Sequence, residues 1–351
     1  MTDTIEATTT NNVIQTVSYN DAQKFLQSLL NLTLDFRTKW YFRGQRGKFL
    51  CKPKLWRIAE TEARTTELLA KYLKEKWYIT EQNLRQWHDI TNENELTVAI
   101  YHYAQHLLLV NFLYDVNIEG IQVGFDNLIQ PLTTSQFNDM QSFRGLESPL
   151  RLEPEIRVAR ELFEAQKASS FSNIYAMGAM VLAQHYGIPT SLLDFTTKPL
   201  IAAFFAANTK NVNDEIVVYA LNECLVSTGV KLKINGLYET IDGGEQAPLM
   251  LINPAKFCDL SYNINIQRQA GVFIHFKYAN KHYFSKGAWP TLEDMIANSH
   301  MNSVTPPKKL ILEASCREHL LRILANSDVY MKFLEPSLKH VADEITSKIK
   351  A

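Results

Sequence analysis

The chain has 351 residues, of which 46% are hydrophobic and 21% charged, so it can bury a sizeable core, and a disordered chain or a small disulfide scaffold is excluded. Lys and Arg total 36 and Asp and Glu total 37, which leaves a formal net charge of −1 and no whole-molecule attraction for nucleic acid or anionic membranes. Any site for a polyanion must therefore be local.

The N-terminal segment MTDTIEATTTNN has neither the basic start nor the apolar centre of a secretory signal. We interpret residues 1–18 as a flexible tail and residues 19–351 as a single domain with a helical insertion around residues 60–170. Because no cysteine belongs to a CxxC pair, we expect free thiols in a reducing compartment, the cytoplasm. The cysteines are Cys51, Cys224, Cys258 and Cys316.

In the first half of the chain, apolar spacing predicts a helix over residues 21–32, an aromatic strand over 39–45 and two or three helices between 62 and 115. Residues 96–116 are long enough to span a membrane, but their polar side chains would need partners in hydrocarbon. We therefore predict a buried core helix and no membrane contact. The polar residues are His102, Gln105, His106 and Asn111.

The second half begins with an irregular connection, helices over residues 155–168 and 175–185, a turn and strand over 186–196, and an apolar helix after Pro199. From residue 215 onward, the spacing of the apolar residues changes to the pattern of β-strands. Strands are predicted at 216–221, 230–234, 249–252, 272–276 and 310–313, and helices at 317–326 and 336–350. Without βαβ alternation, this order predicts an α+β fold with a helical N-terminal half packed on a mainly antiparallel sheet.

Motifs of the common nucleotide and hydrolase folds are missing from the sequence. GxGxxG, GxxxxGK[ST], HExxH and GxSxG do not occur, which argues against dinucleotide-fold oxidoreductases, P-loop NTPases, zincins and α/β-hydrolases. His102 and His106 stand one helical turn apart, but no third ligand has suitable spacing. We predict packed core histidines and no metal site.

The first informative segment is YFRGQ at residues 41–45. Arg43 lies inside an apolar strand, which is costly unless its guanidinium meets an anion, and Gly44 would let a ligand approach the backbone. The following basic residues, with Phe49 and Trp56 among them, could bind phosphates and stack bases; a solvated basic turn is the equally supported alternative. A second triplet, FRG at 143–145, is interpreted as an exposed loop. The basic residues are Arg46, Lys48, Lys52, Lys54 and Arg57.

The second segment is QHYGIPTSLLDFT at residues 184–196, where polar side chains stand beside apolar ones as in a lined cleft. The alternative is a helix C-cap at Gly187, an edge strand and Asp194 capping the next helix, which leaves His185 and Tyr186 unexplained. In the third segment, QRQAGVF, Gln267 and Gln269 are expected on one face of an extended chain.

Together these segments resemble the FRG domain family, whose Phe-Arg-Gly triplet corresponds to residues 42–44. The resemblance runs from Tyr41 across almost the whole chain, through QHYGIPTSLLDFTTKPLIAAFFA and QRQAGVF to the closing strand and helices. The family usually has an arginine where this chain has Ser191, which removes one anion contact.

The FRG family is in turn similar to the ADP-ribosyltransferases. This resemblance implies a split sheet core of that type and NAD as cofactor. Arg43, with Gly44, would hold the NAD diphosphate or ribose, Thr196 would shape the cleft, and Gln269 would lie against the nicotinamide ribose. The remaining residues implied in cofactor binding are His185, Tyr186, Thr190 and Gln267.

The uncharged side chain of Gln269 bears on its assignment as a catalytic residue. The oxocarbenium-like transition state of NAD cleavage is stabilised by a nearby negative charge, and a carboxamide has none. Either Asp194 supplies the charge, or the acceptor is a strong nucleophile, or the site only binds nucleotide. We expect catalytic roles for Arg43, Asp194 and Gln269.

The expected activity is that of an intracellular toxin or anti-phage effector that modifies nucleic acid, RNA in particular, or else protein. RNA or single-stranded nucleic acid would bind through the basic stretch, and a toxin would require an antitoxin or other neutralising protein. A non-catalytic nucleotide- or nucleic-acid-binding module is the second hypothesis. A hydrolase with His185 as base and Asp194 as orienting acid is the third.

Overall fold

The structure is a computed structural model of the chain. It describes residues 14–34, 38–47, 50–119, 156, 159–160, 163–164, 174–209, 211–227, 247–256, 260–261, 263–297 and 305–334, and every structural statement below concerns these residues.

The strands of the described residues form one mixed, open sheet. Its order is β1-β8-β4-β2-β3-β7-β6-β5. The β1/β8 and β5/β6 pairs are parallel and the other neighbours are antiparallel, so the predicted α+β class and the mainly antiparallel sheet are confirmed. The strands are β1 (Gln15–Tyr19), β2 (Trp40–Arg46), β3 (Leu192–Thr196), β4 (Ile216–Asn222), β5 (Val226–Ser227), β6 (Leu249–Ile252), β7 (Gly271–Phe276) and β8 (Lys308–Leu312).

Helices cover both faces of this sheet. They are α1 (Ala22–Leu34), α2 (Glu62–Trp77), α3 (Glu81–His88), α4 (Glu93–Ile118), α5 (Ile174–His185), α6 (Pro199–Ala207), α7 (Ile264–Arg268), α8 (Ala279–Lys286), α9 (Leu292–Ala297), α10 (Arg317–Asn326) and α11 (Met331–Leu334). On one face, α2, α3, α4, α8 and α9 bury a single large cluster against β2, β3, β4 and β7. This cluster is the predicted contact between the helical N-terminal half and the sheet.

The opposite face is covered in two separate patches. Helices α1, α6 and α10 pack on β2, β4 and β8, where Phe42 is fully buried. Helix α5 and Ile266 of α7 pack on β3, β6 and β7. Between the two patches the sheet face is left accessible beside β2 and β3.

The sheet is weakly joined at the same place. Strand β2 pairs with β4 over its whole length, from Trp40 to Arg46, but meets β3 only at Phe42↔Thr196. Strand β3 pairs with β7 along its entire length. The two halves of the sheet therefore part beside the single β2/β3 pair, and the gap between them positions the candidate site.

Several expectations need correction. The flexible-tail prediction for residues 1–18 is wrong for residues 15–18, which form most of edge strand β1 paired with β8, while residues 1–13 lie outside the described residues. Helices α8 and α9 and the short strand β5 were not predicted from the sequence. The described positions between 156 and 164 are helical as predicted. The predicted strand 230–234 and helix 336–350 lie outside the described residues.

One described helical stretch, Glu93–Leu113 of α4, is long and apolar enough to cross a membrane. Of its most apolar window, 61% is buried inside the protein. His102 is buried there, and its Nε2 lies 3.1 Å from the carbonyl of Ala159. These contacts favour the predicted core helix.

Candidate functional site

A cleft of about 310 Å³ opens where the two halves of the sheet part. This volume is at the lower end of the range of small-molecule sites, roughly 300–1,000 Å³. Six of the residues predicted for the site line the cleft: Arg43, Gly44, His185, Asp194, Thr196 and Gln269. Its other walls are mostly apolar: Phe42, Gln184, Phe195, Phe205, Ile266, Gly271, Val272 and Phe273.

Each residue of the Phe-Arg-Gly triplet on β2 makes a different contact. Phe42 points into the core beneath α6 and has no exposed surface. A Cβ on Gly44 would lie 1.9 Å from the carbonyl oxygen of Ala202, so α6 can pack on β2 only because residue 44 lacks a side chain. The missing side chain therefore makes room for the backbone of α6, while the approach of a ligand to Gly44 from the cleft stays a prediction.

Arg43 bridges the gap in the sheet. If the antiparallel register continued from Phe42↔Thr196, Gly44 would lie opposite Asp194. Instead, Nη1 of Arg43 donates to the Asp194 carbonyl at 2.7 Å, and the same nitrogen lies 3.6 Å from Oδ2 of that residue. The guanidinium thus takes the place of a strand–strand contact. Only 11% of the Arg43 side chain is exposed.

Asp194 is the exposed carboxylate of the cleft, with 56% of its side chain accessible. The carboxamide nitrogen of Gln184, on α5, donates to both carboxylate oxygens at 3.1 and 3.0 Å. Thr190 donates in turn from Oγ1 to Oε1 of Gln184 at 2.7 Å. These two buried polar residues hold the carboxylate in one orientation.

Gln184 was missed as a site residue, and Thr190 acts behind the cleft rather than in its lining. A signal for Gln184 was present: it is a glutamine in a helix whose preceding turn is wholly apolar. Such a residue is buried only if its amide has partners.

His185 ends α5 and lines the cleft beside Asp194. Burial lowers the pKa of His185, and the nearby charge of Asp194 opposes this shift. The imidazole is therefore neutral at neutral pH and can accept a proton.

The residues after α5 agree in part with the alternative interpretation, in which Gly187 is a helix C-cap. Gly187 has φ +92°, which is the left-handed geometry of a helix C-cap. Tyr186 does not line the cleft; it is 55% exposed and donates to Oδ1 of Asn263 at 3.4 Å. Asp194 does not cap α6, because Thr196 Oγ1 accepts the hydrogen bond from the Lys198 amide.

The third segment closes the cleft through a turn rather than a strand. The prediction that Gln267 and Gln269 share a face of an extended chain is wrong: Gln267 is in α7 and Gln269 is the αR residue that follows it. Gln269 lines the cleft, and its carbonyl accepts from Thr196 Oγ1 at 2.7 Å. Gln267 is exposed and outside the cleft. The following Ala270 has φ +47°, a strained geometry for a residue with a side chain.

The basic stretch does not form the expected nucleic-acid surface as a whole. Trp56 is buried and stacked on Trp289 with ring centroids 4.6 Å apart, so it cannot stack a base. Lys52 lies 3.7 Å from a carboxylate oxygen of Glu62, and Arg57 donates from Nε to the Lys52 carbonyl. Arg46 belongs to β2, and Lys48, Phe49 and the triplet 143–145 lie outside the described residues.

The described residues contain no cluster of three or more His, Cys, Asp or Glu side chains arranged to hold a metal ion. The cleft offers carboxylate, carboxamide, hydroxyl and imidazole groups, together with the partly buried ring of Phe205. This set can orient a polar ligand with a flat ring and stabilise positive charge close to Asp194.

Comparison with known proteins finds one match to a family. The model of the FRG domain matches residues 139–215, which include the block from Gln184 to Ala206, and this match supports the predicted resemblance to the FRG family. Phe42–Gly44 and Gln267–Phe273 lie outside the matched range, so the wider resemblance stays a prediction. No curated protein and no solved structure matches the chain significantly.

Proposed function

We propose that this chain is an NAD-dependent ADP-ribosyltransferase acting as an intracellular toxin or anti-phage effector. The observation that carries the proposal is the meeting of Arg43, Asp194, Thr196 and Gln269 around one cleft at the split in the sheet. These residues come from three segments far apart in the chain. They are the ones that the resemblance to ADP-ribosyltransferases implies.

The lining of the cleft supports binding of the nicotinamide ribose half of NAD. The partly buried ring of Phe205 provides a flat apolar wall for the nicotinamide, and the carboxamide of Gln269 can hydrogen-bond a ribose hydroxyl. When bound, NAD supplies the ADP-ribosyl group and nicotinamide as leaving group.

Each polar residue has a role in this reaction. As the bond between ribose C1′ and the nicotinamide nitrogen breaks, the electron pair leaves with nicotinamide, and the carboxylate of Asp194 stabilises the positive charge that develops on the ribose. The acceptor nucleophile forms the new bond to C1′ and loses its proton, which neutral His185 can accept. Gln184 and Thr190 hold Asp194 in place, and Arg43, which lines the cleft with 11% of its side chain exposed, binds NAD.

Purified protein incubated with NAD radiolabelled in its adenylate part, with either total RNA or cell lysate, tests the proposal. We expect transfer of label and release of nicotinamide, both lost in the Asp194→Asn variant. Asp214→Asn, a change of another acidic residue outside the cleft, is the control and should leave transfer unchanged. Absence of both label transfer and nicotinamide release from the wild-type protein would overturn the proposal.

The uncharged Gln269 favours one second candidate, a non-catalytic module that binds nucleotide. In that case calorimetry would detect NAD binding without nicotinamide release. Binding would weaken in Arg43→Ala and stay unchanged in Asp194→Asn, because no transition-state charge would need to be stabilised.

A further inference from the structure

We infer that the mouth of the cleft carries a binding track for single-stranded nucleic acid, formed by exposed rings and cations at the two ends of helix α7. The inference rests on the proposed function, because it names the class of acceptor that the cleft would modify. It also moves the nucleic-acid contact away from most of the basic stretch to a surface beside the candidate catalytic residues.

Helix α7 connects the two ends of the track. At its N-terminal end, Asn263 accepts a hydrogen bond from the hydroxyl of Tyr186 at 3.4 Å. At its C-terminal end, Arg268 donates to the Phe333 carbonyl at 3.1 Å, and its guanidinium lies 5.4 Å from the centroid of that ring. The five residues of α7 span about 7.5 Å. Tyr186 and Phe333 therefore flank the same short helix.

The rings on this surface are exposed. Tyr186 is 55% exposed, Tyr330 is 40% and Phe333 is 39%, and the rings of Tyr330 and Phe333 lie 6.3 Å apart. Ile264, between them on α7, is 41% exposed. Large apolar side chains grouped in this way mark an interaction surface, whereas single exposed ones need no explanation.

Cations belong to the same surface. Lys54 is exposed and donates from Nζ to the carbonyl of Gly187, the residue after Tyr186. Arg268 supplies the second charge next to Phe333. Rings for base stacking, with lysine and arginine for phosphates, are the combination that single-stranded nucleic acid binds without sequence preference. A paired duplex would hide its base faces from these rings.

The track also leads to the candidate catalytic residues. Ile266 and Gln269, on the inner side and at the end of α7, line the cleft. Tyr186 is adjacent in sequence to His185, which lines the cleft, so a strand stacked on Tyr186 could extend a nucleotide toward Asp194. An apolar peptide would use the rings but not the cations, so we assign the surface to nucleic acid.

Binding without NAD tests this inference separately from catalysis. Fluorescence anisotropy would measure the affinity of the full chain for a fluorescein-labelled 12-nucleotide poly(U) RNA, with the same length of duplex RNA for comparison. We expect tighter binding of the single strand, a loss of about tenfold in affinity for Tyr186→Ala and for Phe333→Ala, and a shallower salt dependence for Arg268→Ala.

Matched controls separate the track from general surface effects. Two residues outside the cleft lining have comparable exposure. Tyr78, the C-cap of α2, is 57% exposed, and the side chain of Arg64, on α2, is 62% exposed. The Tyr78→Ala and Arg64→Ala variants should therefore bind RNA as tightly as the wild-type protein. Absence of single-strand binding, or equal losses in the control variants, would overturn the inference. If the nucleic-acid track is overturned but label passes from NAD to protein, the proposed transferase function still holds. If the chain binds RNA but does not use NAD, the track still holds and the transferase function is overturned.

Discussion

The guanidinium of Arg43 and the main chain of Asp194 meet at 2.7 Å, across 151 positions of sequence, in the gap between the two halves of the sheet. A side chain thereby replaces the backbone hydrogen bond that would otherwise continue the β2/β3 ladder. The gap stays open as a cleft, and the strand that carries the carboxylate is held at a defined distance from β2. The arginine of the triplet is thus a structural element as well as a candidate ligand-binding group.

We expect Arg43→Ala to abolish NAD binding and to lower the free energy of unfolding by about 1–3 kcal/mol, because the carbonyl of Asp194 loses its donor. Calorimetry of NAD binding and urea unfolding would measure the two effects. Arg144→Ala, in the second Phe-Arg-Gly triplet, is the matched control and should change neither. Equal losses in both variants would contradict the assignment to residues 42–44.

Gly44→Ala should be strongly destabilising, by about 3 kcal/mol or more, because its Cβ would meet the Ala202 carbonyl of α6, which cannot move without shifting the helix. Gly47→Ala is the control, since its Cβ would meet mainly the Glu215 side chain at 3.0 Å. Thermal and urea unfolding of the two variants should differ clearly. Similar stabilities would show that α6 does not pack on β2 as described.

Gln269→Ala should lower the rate of NAD cleavage more than the affinity for NAD, because the side chain is expected to act mainly in the transition state. Gln269→Glu should raise that rate by about tenfold or more, because it adds negative charge near the ribose. Steady-state nicotinamide release gives kcat and KM for each variant. Gln267→Glu adds the same charge outside the cleft, and a similar gain in that variant would count against a direct role for residue 269.

The stability of the fold should fall as pH decreases from about 6.5 to about 4, because burial lowers the pKa of His275 on β7 to about 4. In this window the unfolded chain binds a proton that the folded chain does not, so stability rises with pH and is lost on acidification. Urea unfolding at several pH values would measure the slope. His275→Gln should flatten this dependence, and an unchanged slope would assign the effect to other groups.

The sequence predicted those parts of the site that depend on neighbours close along the chain. The aromatic strand around Arg43, the strand of Asp194 and the apolar α6 were all predicted, and the C-cap at Gly187 was part of the alternative interpretation of its segment. So were the α+β class and the mainly antiparallel sheet. Periodicity and capping involve residues at most a few positions apart, and these signals are readable in one sequence.

Only the tertiary structure decided which of these residues meet and which are hidden. Trp56 is buried because Trp289 stacks on it, Gly44 is required because α6 crosses β2, and Gln184 matters because Thr190 and Asp194 hold its amide. These contacts depend on how packed layers and strand pairs bring distant segments together. Helical and strand periods describe one segment at a time and carry no information about its partners.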